Sequence, residues 1–258
     1  MRASPSASQT ILSTAFAASA DNSANTGNSI AAYDNTLRQR LQGGAPALRV
    51  VGEVNFGPTP REWAEWTAYE SILNCAFADQ PAWIVCPYDA RVLPEQIVQG
   101  ALKTHPHRFA DTHGESADYD APEHLVRALT PQPAPVTGLR ELMLDDDPRR
   151  FREQLLHETA SAGAPPASAD GLILAAGEVL ANAHRHGDGS SQLRAGLVDR
   201  HFVCEISDHG CGHDDPLAGY LPPNPDKSSG AGLWVARQLT TRLELLSSAD
   251  GLTVRLWL

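Results

Sequence analysis

The 258-residue chain is short of several things, and each shortage rules something out. It has four cysteines, Cys75, Cys86, Cys204 and Cys211, and no two of them form a Cys-x-x-Cys pair. That spacing points to neither a disulfide framework nor a zinc site. Cys75 and Cys204 stand in strongly apolar contexts, as small core residues do. No apolar run approaches the roughly 18 residues that a membrane-spanning helix needs. Basic charge is scarce: 20 Lys and Arg against 31 Asp and Glu leave a formal net charge of −11. Unspecific attraction to DNA or an anionic membrane is therefore not expected. A phosphate loop is lacking too. Gly52 and Gly57 have its glycine spacing, but Pro58-Thr59 stands where Lys-Ser/Thr is required, so the loop has no cation.

What is present is organised around residues 177–187. Leu172, Ala175, Ala176, Val179, Leu180 and Ala183 recur at helical spacing and make an apolar stripe. Glu178 and Asn182 are four apart, so they project from one face, one turn above the other. Gly187 follows the last periodic residue, where a left-handed helix end would want it. A carboxylate and an amide stacked on an otherwise buried helix need a polar partner, and a hydrated Mg²⁺ carrying phosphates suits both oxygens. Ser168 or Asp170 is placed to cap this helix. An earlier helix over 148–162 presents Phe151, Leu155, Leu156 and Thr159, with Asp145, Asp146 and Asp147 at the end where acids are favoured. Residues 192–199 and 202–207 read as a hairpin turning at Asp199-Arg200. Its second strand delivers Asp208-His209-Gly210-Cys211-Gly212. A polar, proline-rich loop over 213–229 follows, and then Gly230-Ala231-Gly232-Leu233 opens a helical run to Leu239. Glycines there bring backbone amides to a helix N-terminus, where the dipole favours an anion. Residues 243–247 and 252–258 close as paired strands.

A Glu-x-x-x-Asn helix, then Asp-x-Gly-x-Gly, then Gly-x-Gly-Leu, in that order, resembles the Bergerat ATP-binding fold of the GHKL superfamily. That superfamily contains histidine kinases, type II topoisomerases, Hsp90-type chaperones and anti-sigma-factor serine kinases. The ending Asn182 to Gly187 looks most like the last group. The resemblance covers residues 145–258. It implies an α+β two-layer sandwich, with ATP and Mg²⁺ as cofactors. It makes Glu178 the general base that takes a proton from an acceptor hydroxyl or water. It makes Asn182 the Mg²⁺ ligand and Asp208 the reader of the adenine amine. Gly210 and Gly212 let the backbone approach base and sugar. Gly230 and Gly232 hold the phosphates, and Leu233 anchors their helix. The loop matches the fold's mobile lid; Lys227 on it and Arg237 after it are either phosphate contacts or solvated.

The activity implied is that of an ATP-dependent protein serine/threonine kinase in bacterial transcription control. It would phosphorylate a serine of an anti-anti-sigma factor and sequester a sigma factor. A homodimer is compatible with this; direct contact with nucleic acid or membrane is not expected, and the cytoplasm is the implied compartment. Two alternatives stay open. One is a sensor histidine kinase, for which His157-Glu158 imitates a phosphoacceptor motif, but inside the ATPase domain's first helix and without a long helical pair before it. The other is a non-catalytic, ATP-binding partner switch.

The N-terminal half reads as a smaller α/β domain. Residues 1–30 are rich in Ala, Ser, Asn and Thr, as in a disordered tail. Within them, an apolar piece ending in Ala18-Ser19-Ala20 imitates a secretory signal, but Ser13, Thr14 and Ser19 interrupt its core. Across 31–115 the pattern predicts a helix over 33–42, a strand over 48–54 and a helix over 62–78 with Thr59 as cap. Trp63, Trp66, Tyr69, Ile72, Leu73 and Phe77 give that helix its apolar face. A buried strand over 83–88 and a helix over 94–103 complete an α/β layer with a parallel sheet. Gly52-Glu53, residues 69–74, Cys86-Pro87-Tyr88-Asp89, Leu93-Pro94 and Thr104-His105-Pro106 resemble the C-terminal half of the MEDS sensory domain. The initial strand and helix of that family are not recognisable, so a truncated domain is expected. His105, His107 and His113 read as solvent-facing. Residues 116–144, with Pro131, Pro133 and Pro135, read as a partly extended linker.

Overall fold

The computed structural model describes residues 10–13, 26–109, 113–130, 134–144, 147–188, 190–223 and 230–258, and it divides into two compact units, 1–130 and 131–258. Among the described residues no helix is long and apolar enough to cross a membrane. Both units are the α/β mixtures that the patterns imply.

In the first unit β1 (Thr10–Ser13), β2 (Leu48–Val51) and β3 (Ala82–Val85) form a parallel sheet in that order. The crossovers are α1 (Thr26–Gln42) and α2 (Pro60–Ala76); α3 (Glu95–Thr104) follows β3. The disordered-tail reading is thus corrected over Thr10–Ser13, which pair residue for residue with Leu48–Val51. The strand and helix not recognised ahead of Leu48 are β1 and α1. Four residues of strand have too little pattern to be read locally; their partner β2 defines them.

Helix α2 is the centre of this unit. Pro60 starts it, and Thr59 and Glu62 close a capping box: the Thr59 hydroxyl accepts from Glu62 N at 3.3 Å while Thr59 N donates to Glu62 Oε2 at 2.9 Å. Thr59→Ala should cost about 1 kcal/mol, measured as a lower denaturation midpoint of this unit, with Thr59→Ser close to the parent. Trp66 to Ile72 are buried without interruption, so α2 is covered on all sides and carries Thr67, Glu70 and Ser71 into the interior. A Cβ at Gly100 of α3 would lie 2.9 Å from Thr67 Oγ1, so the two helices touch there through a glycine. Asn74 Nδ2 donates to Thr104 O at 2.8 Å and ties the end of α3 to α2. Burial pushes the Glu70 carboxyl up to about 7, pushes the nearby Cys86 thiol up and pushes the His105 imidazole down.

The linker reading needs correction in two places. His107–Phe109 (β4) and His113–Glu115 (β5) form a small antiparallel pair just before it. Pro122–Leu129 is a helix, α4, which packs on α2 through buried Leu125 and Val126. Arg140–Leu142 is a strand, β6, on the edge of the second sheet. Pro122 at the first turn favours α4, because its missing amide is not needed there. Pro131 and Pro133 lie outside the described residues.

The second unit is one antiparallel sheet in the order β6-β7-β8-β10-β9, with β7 Ser191–Val198, β8 His201–Asp208, β9 Arg242–Ser248 and β10 Gly251–Trp257. Helices α5 (Pro148–Ser161), α6 (Pro166–His186) and α7 (Ala231–Leu239) form the second layer. Leu193, Ala195, Phe202, Cys204, Ile206, Val254 and Leu256 point inward from the strands to meet Leu155, Leu172, Ala175, Ala176 and Val179. Asp199 and Arg200 both have positive φ, 48° and 73°, which makes a two-residue hairpin turn of the primed kind. Asp147 caps α5 by accepting from Arg149 N at 2.9 Å; Asp145 and Asp146 lie outside the described residues. Two helix-end expectations fail. Pro166 starts α6 earlier than Ser168 or Asp170 would, and Asp170 instead pairs with Arg152 at 2.9 Å. Gly187 is extended, at φ −80° and ψ −174°, rather than left-handed.

The other face of this sheet carries charge. In register across four strands stand Arg194, Glu205, Arg255 and Glu244. Arg255 Nε bonds Glu205 Oε2 at 2.7 Å, and each of these residues is 5% exposed. Arg194 approaches Glu205 at 3.5 Å and Arg255 approaches Glu244 at 3.7 Å. Arg255 Nη1 also donates to Ala134 O at 2.7 Å.

Candidate functional site

Helix α6 sets out the predicted residues along one side. Glu178 and Asn182 face the start of α7: a Cβ on buried Gly232 would lie 2.8 Å from Asn182 Nδ2 and 3.2 Å from Glu178 Oε2. Only a glycine lets α7 begin this close to both side chains. Gly230 caps α7 with φ 104°, in the left-handed region, and among the described residues beyond its chain neighbours nothing lies within 4 Å of its Cβ position. Among the described residues no side chain caps the helix there, and the first amides of a helix have no partner within it. Leu233, partly buried, packs on the core and holds this end in place.

Asp208 is met at the C-terminal end of α6, beyond Asn182. A Cβ on Gly187 would lie 3.0 Å from Asp208 Cβ, and one on Gly210 would lie 2.8 Å from His186 O. The turn after β8 therefore rests on the last residues of α6. Asp208 Oδ1 accepts from Gly210 N at 2.9 Å and from Leu252 N at 3.4 Å, which orients a partly buried carboxylate. At 1.5 Å of rise per residue, the Gly187 contact lies about 7 Å beyond Asn182 along the helix.

Gly210 and Gly212 are also packed closely against the protein itself. Gly212 has φ 74°, and a Cβ on it would fall 2.6 Å from Ser247 Oγ and from Ser248 O. Ser247 Oγ also accepts from His213 N at 2.7 Å. The close approach that Gly210 and Gly212 permit is thus to α6 and to the β9–β10 hairpin.

Several residues of this region were missed in the sequence. Arg185 Nη1 donates to Asn182 Oδ1 at 3.2 Å, one helical turn further on; the i,i+3 spacing is the signal that would have found it. Ser207 and Thr253 share a hydroxyl–hydroxyl bond of 2.9 Å beside Asp208, as directly opposed residues of neighbouring strands. Arg237 is neither solvated nor turned to a phosphate. It is buried: its Nε donates to Ala218 O at 3.0 Å, and its guanidinium sits 3.7 Å from the Tyr220 ring centroid. Burial pulls its pKa down. The root of the predicted lid is anchored by this arginine and by buried Leu217 and Ala218. Lys227 and the rest of 224–229 lie outside the described residues.

The donor set suits a magnesium-bound phosphate chain: the Glu178 carboxylate and the Asn182 side chain, whose Nδ2 is the atom nearest Gly232 and whose Oδ1 meets Arg185, stand beside the first amides of α7, with the cradle open only because residue 232 lacks a Cβ. Holding Mg²⁺ on Asn182 Oδ1 requires Arg185 to turn away, since a cation would replace it.

Residues 145–258 match the family profile of the histidine kinase-like ATPase domain, and residues 2–106 match that of the MEthanogen/methylotroph, DcmR Sensory (MEDS) domain. The second match takes in β1 and α1 as well as the motifs from Gly52 onward. Among solved structures, the chain is similar to the histidine kinase domain from the Erythrobacter litoralis EL346 blue-light activated histidine kinase. The identity is 18% over 48% of this chain and 69% of that one, with a TM-score of 0.30. No curated protein matches. A domain of the ATPase kind binds ATP, usually with Mg²⁺. The chain thus carries a MEDS sensory domain and, after it, a kinase-type ATPase domain of the GHKL superfamily.

Proposed function

We propose that the chain is an ATP-dependent regulatory kinase of the anti-sigma type, whose substrate is a serine of an anti-anti-sigma partner and whose other partner is a sigma factor. The observation that carries the ATP site is the meeting of Glu178, Asn182 and the start of α7 at Gly232, with Asp208 held at the C-terminal end of α6. In this reading Asn182 holds Mg²⁺ on the phosphates and Asp208 accepts from the adenine amine. Glu178 takes the proton of the serine hydroxyl as its oxygen bonds the γ-phosphorus and ADP departs.

A specific observation favours this over a sensor histidine kinase. His157-Glu158 lies on α5, whose Leu155 and Thr159 are fully buried in the ATPase unit, and Glu158 Oε2 accepts from Arg140 of β6 at 2.6 Å. His157 itself is exposed, but its helix packs into the sandwich rather than standing on a helical pair. Incubating the full chain with labelled Mg-ATP and candidate anti-anti-sigma proteins tests the reading. Acid-stable phosphate on serine supports it. Acid-labile label would favour the histidine kinase, and binding without transfer would leave the partner switch. Asn182→Ala should weaken Mg-ATP on the order of 10–100-fold in calorimetry; an unchanged affinity would remove the metal role of Asn182.

A further inference from the structure

A second cluster of reactive side chains lies inside the first unit. Glu70 comes from the middle of α2, Cys86 from the residue after β3, and His105 from the end of α3. One ligand atom from each falls within 4.8 Å of the other two. Glu70 is 4% exposed, and its Oε1 is buried with no hydrogen-bond partner. Its other oxygen accepts from the Tyr88 hydroxyl. His105 Nδ1 lies 3.0 Å from the Ala101 carbonyl and 2.8 Å from the Thr104 hydroxyl; in the tautomer that donates to the carbonyl, the ring's lone pair is on Nε2.

Buried this deeply, Glu70 is held as the neutral acid beside the Cys86 thiol unless a cation takes the place of the protons. We propose that Glu70, Cys86 and His105 bind a divalent metal ion of the zinc class. One oxygen, one sulfur and one imidazole nitrogen form a borderline-soft donor set, which selects against Mg²⁺ and Ca²⁺. At bond lengths of about 2.0–2.3 Å and tetrahedral angles, two ligands of one zinc lie roughly 3.3–3.8 Å apart, so the three side chains close on the ion by moving about 1 Å. The ion takes the carboxylate and thiolate forms, so its two positive charges replace the protons of Glu70 and Cys86 and the buried site stays neutral. Tyr88 on Glu70, and Ala101 and Thr104 on His105, are the outer contacts that orient such ligands. Three protein ligands leave the fourth tetrahedral position to water or to a small external donor.

The test uses the full chain, stripped by chelator and titrated with Co²⁺. One ion per chain and a thiolate-to-cobalt charge-transfer band are expected. Cys86→Ser should abolish the band, Glu70→Gln and His105→Ala should weaken binding on the order of 10-fold or more, and exposed Cys211→Ser should change neither. A band that survives in Cys86→Ser, or binding well below one ion per chain, would overturn the proposal. X-ray absorption on the unmutated chain loaded with Zn²⁺ keeps the question open to refutation if a variant misfolds. It should show one sulfur at about 2.3 Å with nitrogen and oxygen, and a shell without sulfur would sink the assignment.

Discussion

Glu178→Gln should slow phosphoryl transfer by about 10²–10⁴-fold, the usual contribution of a positioned general base, while Mg-ATP affinity stays within a few-fold of the parent. Glutamine keeps the length and shape of the side chain facing Gly232. It removes the one property that matters for the proton, because an amide does not accept one at neutral pH. Single-turnover transfer to the partner protein reads the rate, and calorimetry reads the affinity. The split between the two is the signature. A fall in affinity equal to the fall in rate would mean that residue 178 holds the nucleotide and is no base. An unchanged rate would assign the base elsewhere.

The second large effect is on stability. Arg255→Ala removes one member of a buried ion pair, and Glu205, 5% exposed, stays behind without its 2.7 Å partner. Breaking such a pair costs about 3–5 kcal/mol, because the remaining charge is left in a medium that solvates it poorly. In a unit of this size the melting temperature should drop by roughly 10–20 °C, seen in scanning calorimetry of the full chain as a shift of one transition. Replacing both partners, with Arg255→Met and Glu205→Met together, should recover much of the loss, since neither buried charge then remains. A double variant as unstable as the single one would show that the network counts for its shape rather than its charge.

The parts of the fold legible in the sequence are those with local periodicity. The stripe through Leu172 and Val179 gives α6, and with it the stacked pair Glu178 and Asn182; the alternation around Asp199-Arg200 gives the hairpin. Thr59 and Glu62 are a cap readable from spacing alone. What was not legible depends on distant partners. β1 and β6 are short strands fixed by β2 and β7, and α4 is a helix because α2 covers it. Arg237 has the surface pattern of a solvated cation, yet the folded loop encloses it. Gly187 takes an extended backbone because the turn holding Asp208 rests on it. The trio Glu70, Cys86 and His105 has no metal-site spacing, since its members sit on three separate elements; the absence of Cys-x-x-Cys pairs speaks only of sites built from one stretch of chain.

The charged rungs across the sheet do more than hold it together. Side chains alternate between faces, so a slip of β10 by one residue against β8 would carry Arg255 into the apolar layer beside Cys204 or Ile206. That misalignment is forbidden electrostatically, and the strand has one setting, as a key has one seat in its lock. Leu252 N reaches Asp208 in that setting alone, so the aim of the carboxylate that would read a base is decided in part by an ion pair three residues along the strand.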